Sequence, residues 1–250
     1  MQKNIEEYMR EVFKRFEDKS VLNIEVDIDA SEYKEENPWL FSVFVKYDSL
    51  DDNKDGYEEF LETKESLIIA LEHKVKARYV GSRIVDGWNE FYFYAKDSKK
   101  LDTIVAKILT PSSYTFESNV VKDAKWGFYE NQLFPTELEF CHIQSSKIIF
   151  LLEEEGDNLS VPRDVEHYIS FETPTQKNRF VNRLDIDGFA FKDDISSEDF
   201  EYGVALVKNH KVTEEEVEKV VNELFVHIKK EHGYYEGWST VLVDESIADM

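Results

Sequence analysis

Residues 213–238 read TEEEVEKVVNELFVHIKKEHGYYEGW, and the fold is read outward from them. Thr213-Glu214-Glu215-Glu216 has the capping-box pattern, in which a hydroxyl and a carboxylate three residues apart satisfy each other's free amides. Val217, Val220, Val221, Leu224, Phe225 and Ile228 then recur at helical spacing and form one apolar stripe. Lys229, Lys230 and His232 place positive charge at the carbonyl end, and Gly233 suits the C-terminal cap. Trp238 to Val243 follows as a strand. Upstream, Val165 to Phe171 is strand-like, and Thr173-Pro174-Thr175-Gln176 opens a second capped helix with proline at its first position. That helix buries Phe180, Val181 and Leu184 and ends at Asp187-Gly188. Phe189 to Ile195 and Glu201 to Lys208 form a hairpin across the polar loop Ser196-Ser197-Glu198-Asp199. The order β-α-β-β-α-β is the split βαβ pattern of a ferredoxin-like sandwich.

The first half repeats that order of elements without repeating residues. An opening amphipathic helix over about 2–18 carries Ile5, Tyr8, Met9, Val12, Phe13 and Phe16. Leu22 to Ile28 alternates apolar and acidic residues, and Trp39 to Tyr47 is a second strand. A helix over about 56–74 buries Tyr57, Phe60, Leu61, Leu67, Ile68 and Leu71. Ala77 to Val85 and Trp88 to Ala95 are joined by Asp86-Gly87, a two-residue hairpin signal. Ser98 caps a helix bearing Leu101, Ile104, Val105, Ile108 and Leu109, Pro111 stops it, and Tyr114 to Val121 closes the unit. The expected class is α+β: two ferredoxin-like (βαββαβ) sandwiches with antiparallel sheets. Residues 1–136 form one, 161–250 the other, and a helical connector over 137–160 lies between Pro135 and Pro162.

Composition limits the chemistry. With 53 acidic against 30 basic residues the net charge is −23, a surface that repels nucleic acid and attracts basic proteins. Residues 137–250 hold the larger share, 26 acidic against 11 basic. No apolar run reaches the ~18 residues of a membrane span, and the start shows no signal peptide. The single cysteine, Cys141, favours a reducing cytoplasm. No P-loop or GxGxxG is present. Cys141 and His142 are adjacent, so their side chains diverge, and a plain buried thiol is the expected reading. His227 and His232 lie about 140° apart around a helix and cannot share one ion. Asp51, Asn53, Asp55, Gly56 and Glu62 fall in register with an EF-hand loop, but a strand precedes them. A polar loop with Asp55 capping a helix is the expected reading, and calcium is left to titration. Phe91-Tyr92-Phe93-Tyr94 must place two rings on each sheet face. Without a basic rim, a second layer, another domain or a protein is the better cover than RNA.

Gly233-Tyr234-Tyr235-Glu236-Gly237-Trp238 resembles the G-x-Y-D-G-W element of the family of regulators of ribonuclease activity B, with Glu236 in the place of Asp. His167 to Phe171 and Asp187-Gly188-Phe189 follow that family's order over about 163–243. Gly81, the Phe91–Tyr94 strand and Trp126-Gly127-Phe128-Tyr129 resemble a domain of unknown function often fused ahead of it. The resemblance implies inhibition of an endoribonuclease of the ribonuclease E kind by protein contact, with no catalytic, cofactor or metal residues. On that reading an acidic, protein-binding regulator docks a basic segment of its partner, and contacts neither nucleic acid nor membrane. The residues singled out for contact are Asp193, Asp194, Glu198, Asp199, Tyr235, Glu236 and Trp238. Tyr235 and Trp238 also admit a second role, locking the preceding helix onto the sheet, with Gly237 permitting a bulge. Two other functions stay open: an immunity protein neutralising a basic toxin nuclease, and a hydrolase whose site carries no recognised motif.

Overall fold

Alternating apolar residues make the first sheet, and two apolar helical stripes cover it. The computed structural model describes residues 10–17, 20–46, 54–112, 114–184 and 188–243. The chain divides into two compact units, Met1–Phe134 and Pro135–Met250. In the first, strands β1 (Arg10–Glu17), β2 (Ser20–Asp27), β3 (Trp39–Lys46), β4 (Ala77–Val85), β5 (Trp88–Ala95) and β6 (Thr115–Lys122) are ordered β1-β2-β4-β5-β3-β6, all antiparallel. Helices α1 (Lys54–Glu72) and α2 (Leu101–Leu109) bury Phe60, Leu67, Leu71, Val105 and Leu109 against Phe41, Val43, Phe91 and Phe93. Asp86 and Gly87 both take positive φ, 50° and 75°, the hairpin turn their sequence predicts.

Three local expectations for this unit are corrected. Arg10–Glu17 is a strand, paired from Arg10↔Asp27 to Glu17↔Ser20, and not the end of a helix; residues 2–9 lie outside the described ones. Val12, Phe13 and Phe16 fit either period over so short a span, and the open hydrogen-bonding edge of β2 decides for strand. Ser98 does not cap α2; Lys100 holds the N-cap position in a left-handed conformation, with no side-chain bond. Asp55 does not cap the helix, because α1 begins at Lys54 and takes Asp55 into its first turn; the same start breaks the second half of the EF-hand register. Residues 55–62 therefore spend their carbonyls on the helical ladder and not around an ion. Asp51 to Asn53 lie outside the described residues.

The second face of this sheet has its own cover. Tyr94 stacks on Trp126 with centroids 3.9 Å apart, and Tyr92 packs on Phe128 at 4.4 Å. The Tyr94 hydroxyl donates to Asp123 Oδ2 at 2.7 Å, and Asp123 accepts the Gly127 and Phe128 amides. Burial closes this aromatic face to stacked bases.

In the second unit, α3 (Glu137–Glu154) precedes β7 (Arg163–Phe171), α4 (Pro174–Asn182), β8 (Ala190–Ile195), β9 (Tyr202–His210), α5 (Glu214–Lys230) and β10 (Tyr234–Thr240). The antiparallel order is β10-β7-β9-β8, so each strand-helix-strand connection is split by one inserted strand. Helix α3 starts in a formed capping box between Thr136 and Glu139 and packs on α5 and β10. The Thr173–Gln176 box forms as read, whereas Thr213 sits at the N-cap of α5 without a side-chain bond. The left-handed residue after α5 is His232, at φ 57°, and not Gly233. Gly233 is needed one step later, where a Cβ would lie 2.6 Å from the Phe171 ring.

Candidate functional site: the two sides of strand β10

Strand β10 begins four residues after α5 ends and carries the quoted Gly-Tyr-Tyr-Glu-Gly-Trp element. Its ladder with β7 runs Tyr235↔Ile169 and then Gly237↔Tyr168, so Glu236 is the extra residue of a β-bulge. Gly237 adopts φ 119°, which a side chain would resist. Three residues apart, Tyr235 and Trp238 would face opposite sides of a regular strand. The bulge turns both toward the helices and leaves Tyr234 and Glu236 outside.

On the inner side, Trp238 is 4% exposed among Cys141, Ile149, Val165, Val217 and Val221. Its Nε1 donates to Ser145 Oγ at 3.1 Å, and that hydroxyl donates to the Cys141 carbonyl at 2.8 Å. The Tyr235 hydroxyl lies 2.8 Å from His167 Nδ1, His167 Nε2 is 3.1 Å from His210 Nε2, and His210 Nδ1 is 2.6 Å from the Lys211 carbonyl. Burial, His210 and Lys208 hold His167 down to about 3, and burial lowers His210 as well. Burial pushes the Cys141 thiol up to about 11, and its Sγ donates to the Glu137 carbonyl, the behaviour of an inert buried thiol.

On the outer side two hollows meet at Tyr234 and Glu236. One, of about 290 Å³, is closed by Glu137, Phe140, Cys141 and Gln144 of α3. The other, of about 440 Å³, is closed by Phe171, Glu172, Asp199, Phe200, Glu201 and Tyr202. Five carboxylates thus border a groove floored by aromatic rings, and no lysine or arginine is among its lining residues. Tyr234 donates to Glu172 at 3.1 Å, and Ser170 donates to Glu236. At the rim, Lys229 pairs with Glu137 and sits 4.7 Å above the Tyr234 ring, so a cation on carboxylate and ring is already built into this surface.

The acidic residues singled out from sequence do not all converge. Asp199, Tyr235 and Glu236 line the groove, and Trp238 lies beneath it in the core. Asp193 and Asp194 are exposed on β8, at the opposite edge of the sheet, with Asp194 3.0 Å from Lys177. Glu198 is exposed in the β8–β9 loop and lines neither hollow. Sequence reading missed Glu137, Glu172 and Glu201, which only the fold brings to Tyr234, and the pairing of His167 with His210. Among the described residues no three His, Cys, Asp or Glu side chains gather as metal ligands. No helix among them is long and apolar enough to cross a membrane.

Comparison with known proteins agrees with these two units. The model of a family of unknown function (DUF695) matches residues 10–134, and that of Regulator of ribonuclease activity B matches residues 142–240. No curated protein matches. Among solved structures, that of an unknown protein from Galdieria sulphuraria is similar at 10% identity, over 83% of this chain and 100% of that one, with a TM-score of 0.23.

Proposed function

The chain belongs to the family of unknown function (DUF695) over its first half and carries a region of the Regulator of ribonuclease activity B type, and from that premise we propose that it restrains a ribonuclease by binding it as a protein. The β10 groove receives a basic segment of that partner, and no bond is made or broken. The observation that carries this reading is the groove itself: Glu137, Glu172, Asp199, Glu201 and Glu236 around the exposed ring of Tyr234. Arginine side chains match such a surface twice, by carboxylate pairing and by stacking on aromatic faces. Opposite charge speeds the encounter and makes it sensitive to salt. The proposed setting is the cytoplasm. Capture of partners from the native cell at low and high salt tests the proposal. Recovery of a ribonuclease that is lost at high salt, and lost from the Tyr234→Ala/Glu236→Gln variant, is the expected result. A ribonuclease held equally well by that folded variant removes the groove from the account.

A further inference from the structure

Behind the groove wall, His167 on β7, His210 at the end of β9 and Tyr235 on β10 form one hydrogen-bonded row with a fixed direction. The Lys211 carbonyl can only accept, so His210 Nδ1 carries a proton. In a neutral ring its Nε2 is then an acceptor, and His167 Nε2–H donates to it. His167 Nδ1 is left as an acceptor for the Tyr235 hydroxyl. Every polar atom of the row is satisfied with both imidazoles neutral, and His167 is fully buried.

We propose that this row is a proton-operated latch on the groove: neutral, it holds Tyr235 in the wall, and uptake of one proton from solvent releases it. The proton is taken at His210, the ring nearer to solvent, because burial keeps His167 from charging on its own. With His210 as the imidazolium, its Nε2–H faces His167, which must accept there and carry its own proton on Nδ1. Nδ1 thus becomes a donor, the Tyr235 oxygen must turn to accept, and the hydroxyl proton loses its acceptor. An unpartnered buried hydroxyl costs about tenfold in an equilibrium constant.

The surroundings favour the neutral state until acid intervenes. From β9, Lys208 opposes charge on both rings. From the entry to β8, the Phe189 ring packs edge-on against His167 at 5.5 Å and carries Lys208 on its face. From α5, the Glu216 carboxylate favours a charged His210, and from α3 the Cys141 thiol faces Tyr235. His210, at 5% exposure the nearer to solvent of the two, is the port of entry. Tyr235 is also a lining residue of the smaller hollow, so the latch acts on the wall of the proposed docking site.

The coupling to binding rests on the docking reading above, and the two are separable by experiment. In the full chain, hydrogen exchange of the β10 amides and the ring resonances of Tyr235 are followed from pH 7 to pH 5. Binding of a fluorescent nona-arginine peptide is followed alongside at constant ionic strength. Wild type is expected to show Tyr235 moving with an imidazole titration, β10 exchange rising about tenfold, and peptide affinity falling on the order of fivefold. His210→Gln keeps an acceptor for His167 without a titrating ring, and is expected to abolish the Tyr235 transition and, with it, most of the fall in peptide affinity. A Tyr235 transition unchanged in His210→Gln, or no transition in wild type, overturns the latch. Absence of peptide binding at pH 7 together with an intact Tyr235 transition overturns the docking site and leaves the latch standing.

Discussion

Replacing Trp238 by phenylalanine separates the two roles its place in the element allows. Its indole is 4% exposed and its N–H is spent on Ser145, so the loss falls on the core. Removing roughly 40 Å³ of ring from a site that cannot fully collapse costs about 1 kcal/mol. The transfer of the missing apolar area adds about 1 kcal/mol. Losing the hydrogen bond adds about 1 kcal/mol, and no more, because the Ser145 hydroxyl keeps the Cys141 carbonyl as its acceptor. The expected destabilisation of the second unit is about 3 kcal/mol, or roughly 10 °C in its melting temperature. Differential scanning calorimetry of the full chain reads it, with the transition of the first unit as an internal reference. Nona-arginine binding at 25 °C, where the variant is still folded, is expected to stay within about twofold. A second-unit melting temperature nearly unchanged together with lost peptide affinity would instead make Trp238 a contact residue.

Three other outcomes follow from buried polar groups and from register. Arg163 donates to both carboxylate oxygens of Asp157 and to the Val241 and Asn158 carbonyls, so Arg163→Ala strands a buried carboxylate and should cost about 3–5 kcal/mol in urea unfolding. His167 is held at about 3 against an unfolded value near 6.5, so the folded unit refuses a proton that the unfolded chain accepts. Its stability is therefore complete above pH 6.5 and falls as pH drops, by about 2 kcal/mol at pH 5, a loss that His167→Gln should remove from the urea curves. Deleting Glu236 takes out the bulge and forces Tyr235 or Trp238 to the solvent face; loss of the second calorimetric transition is expected, whereas Glu236→Gln should melt within about 2 °C of wild type.

Helices with a single apolar stripe and strands bounded by turn residues were legible from the chain alone. The stripe of α5, the box at Thr173 and the Asp86-Gly87 turn are local in cause and stand where the residues place them. Misreadings came where a local signal competed with a longer-range one. The Arg10–Glu17 segment carries apolar residues that suit helix or strand, and its partner β2 decides. Thr213 has the right neighbour for a capping box, yet its side chain makes no cap bond in the structure. The candidate site was half visible. The element at 233–238 announces a bulge and a buried tryptophan because glycine and aromatic spacing are backbone constraints. Charge is different: no periodicity distinguishes Glu137 or Glu172, which reach Tyr234, from Asp193 or Asp194, which end on the far edge of the sheet. Nor does any spacing reveal that His167 and His210 meet, since they are brought together by the register of β7 on β9.

The bulge joins core and groove into one device. Because Glu236 is the extra residue, Tyr235 and Trp238 both reach inward, one to the histidine row and one to Ser145, while Tyr234 and Glu236 stay in the groove on the other side. Tyr235 thus lies between the two outward residues, and a ligand drawing on Tyr234 or Glu236 would pull against the hydrogen bond of Tyr235. A rigid wall of this kind costs little ordering when a flexible basic segment binds, since the entropy is lost only by the partner. Tyr235 is joined to each outward residue by a single peptide bond, whereas Gly237 separates Trp238 from Glu236. An acidic surface alone would attract many basic proteins; on the proposed docking reading, a wall whose shape depends on the Tyr235 anchor would narrow that set to segments fitting the groove.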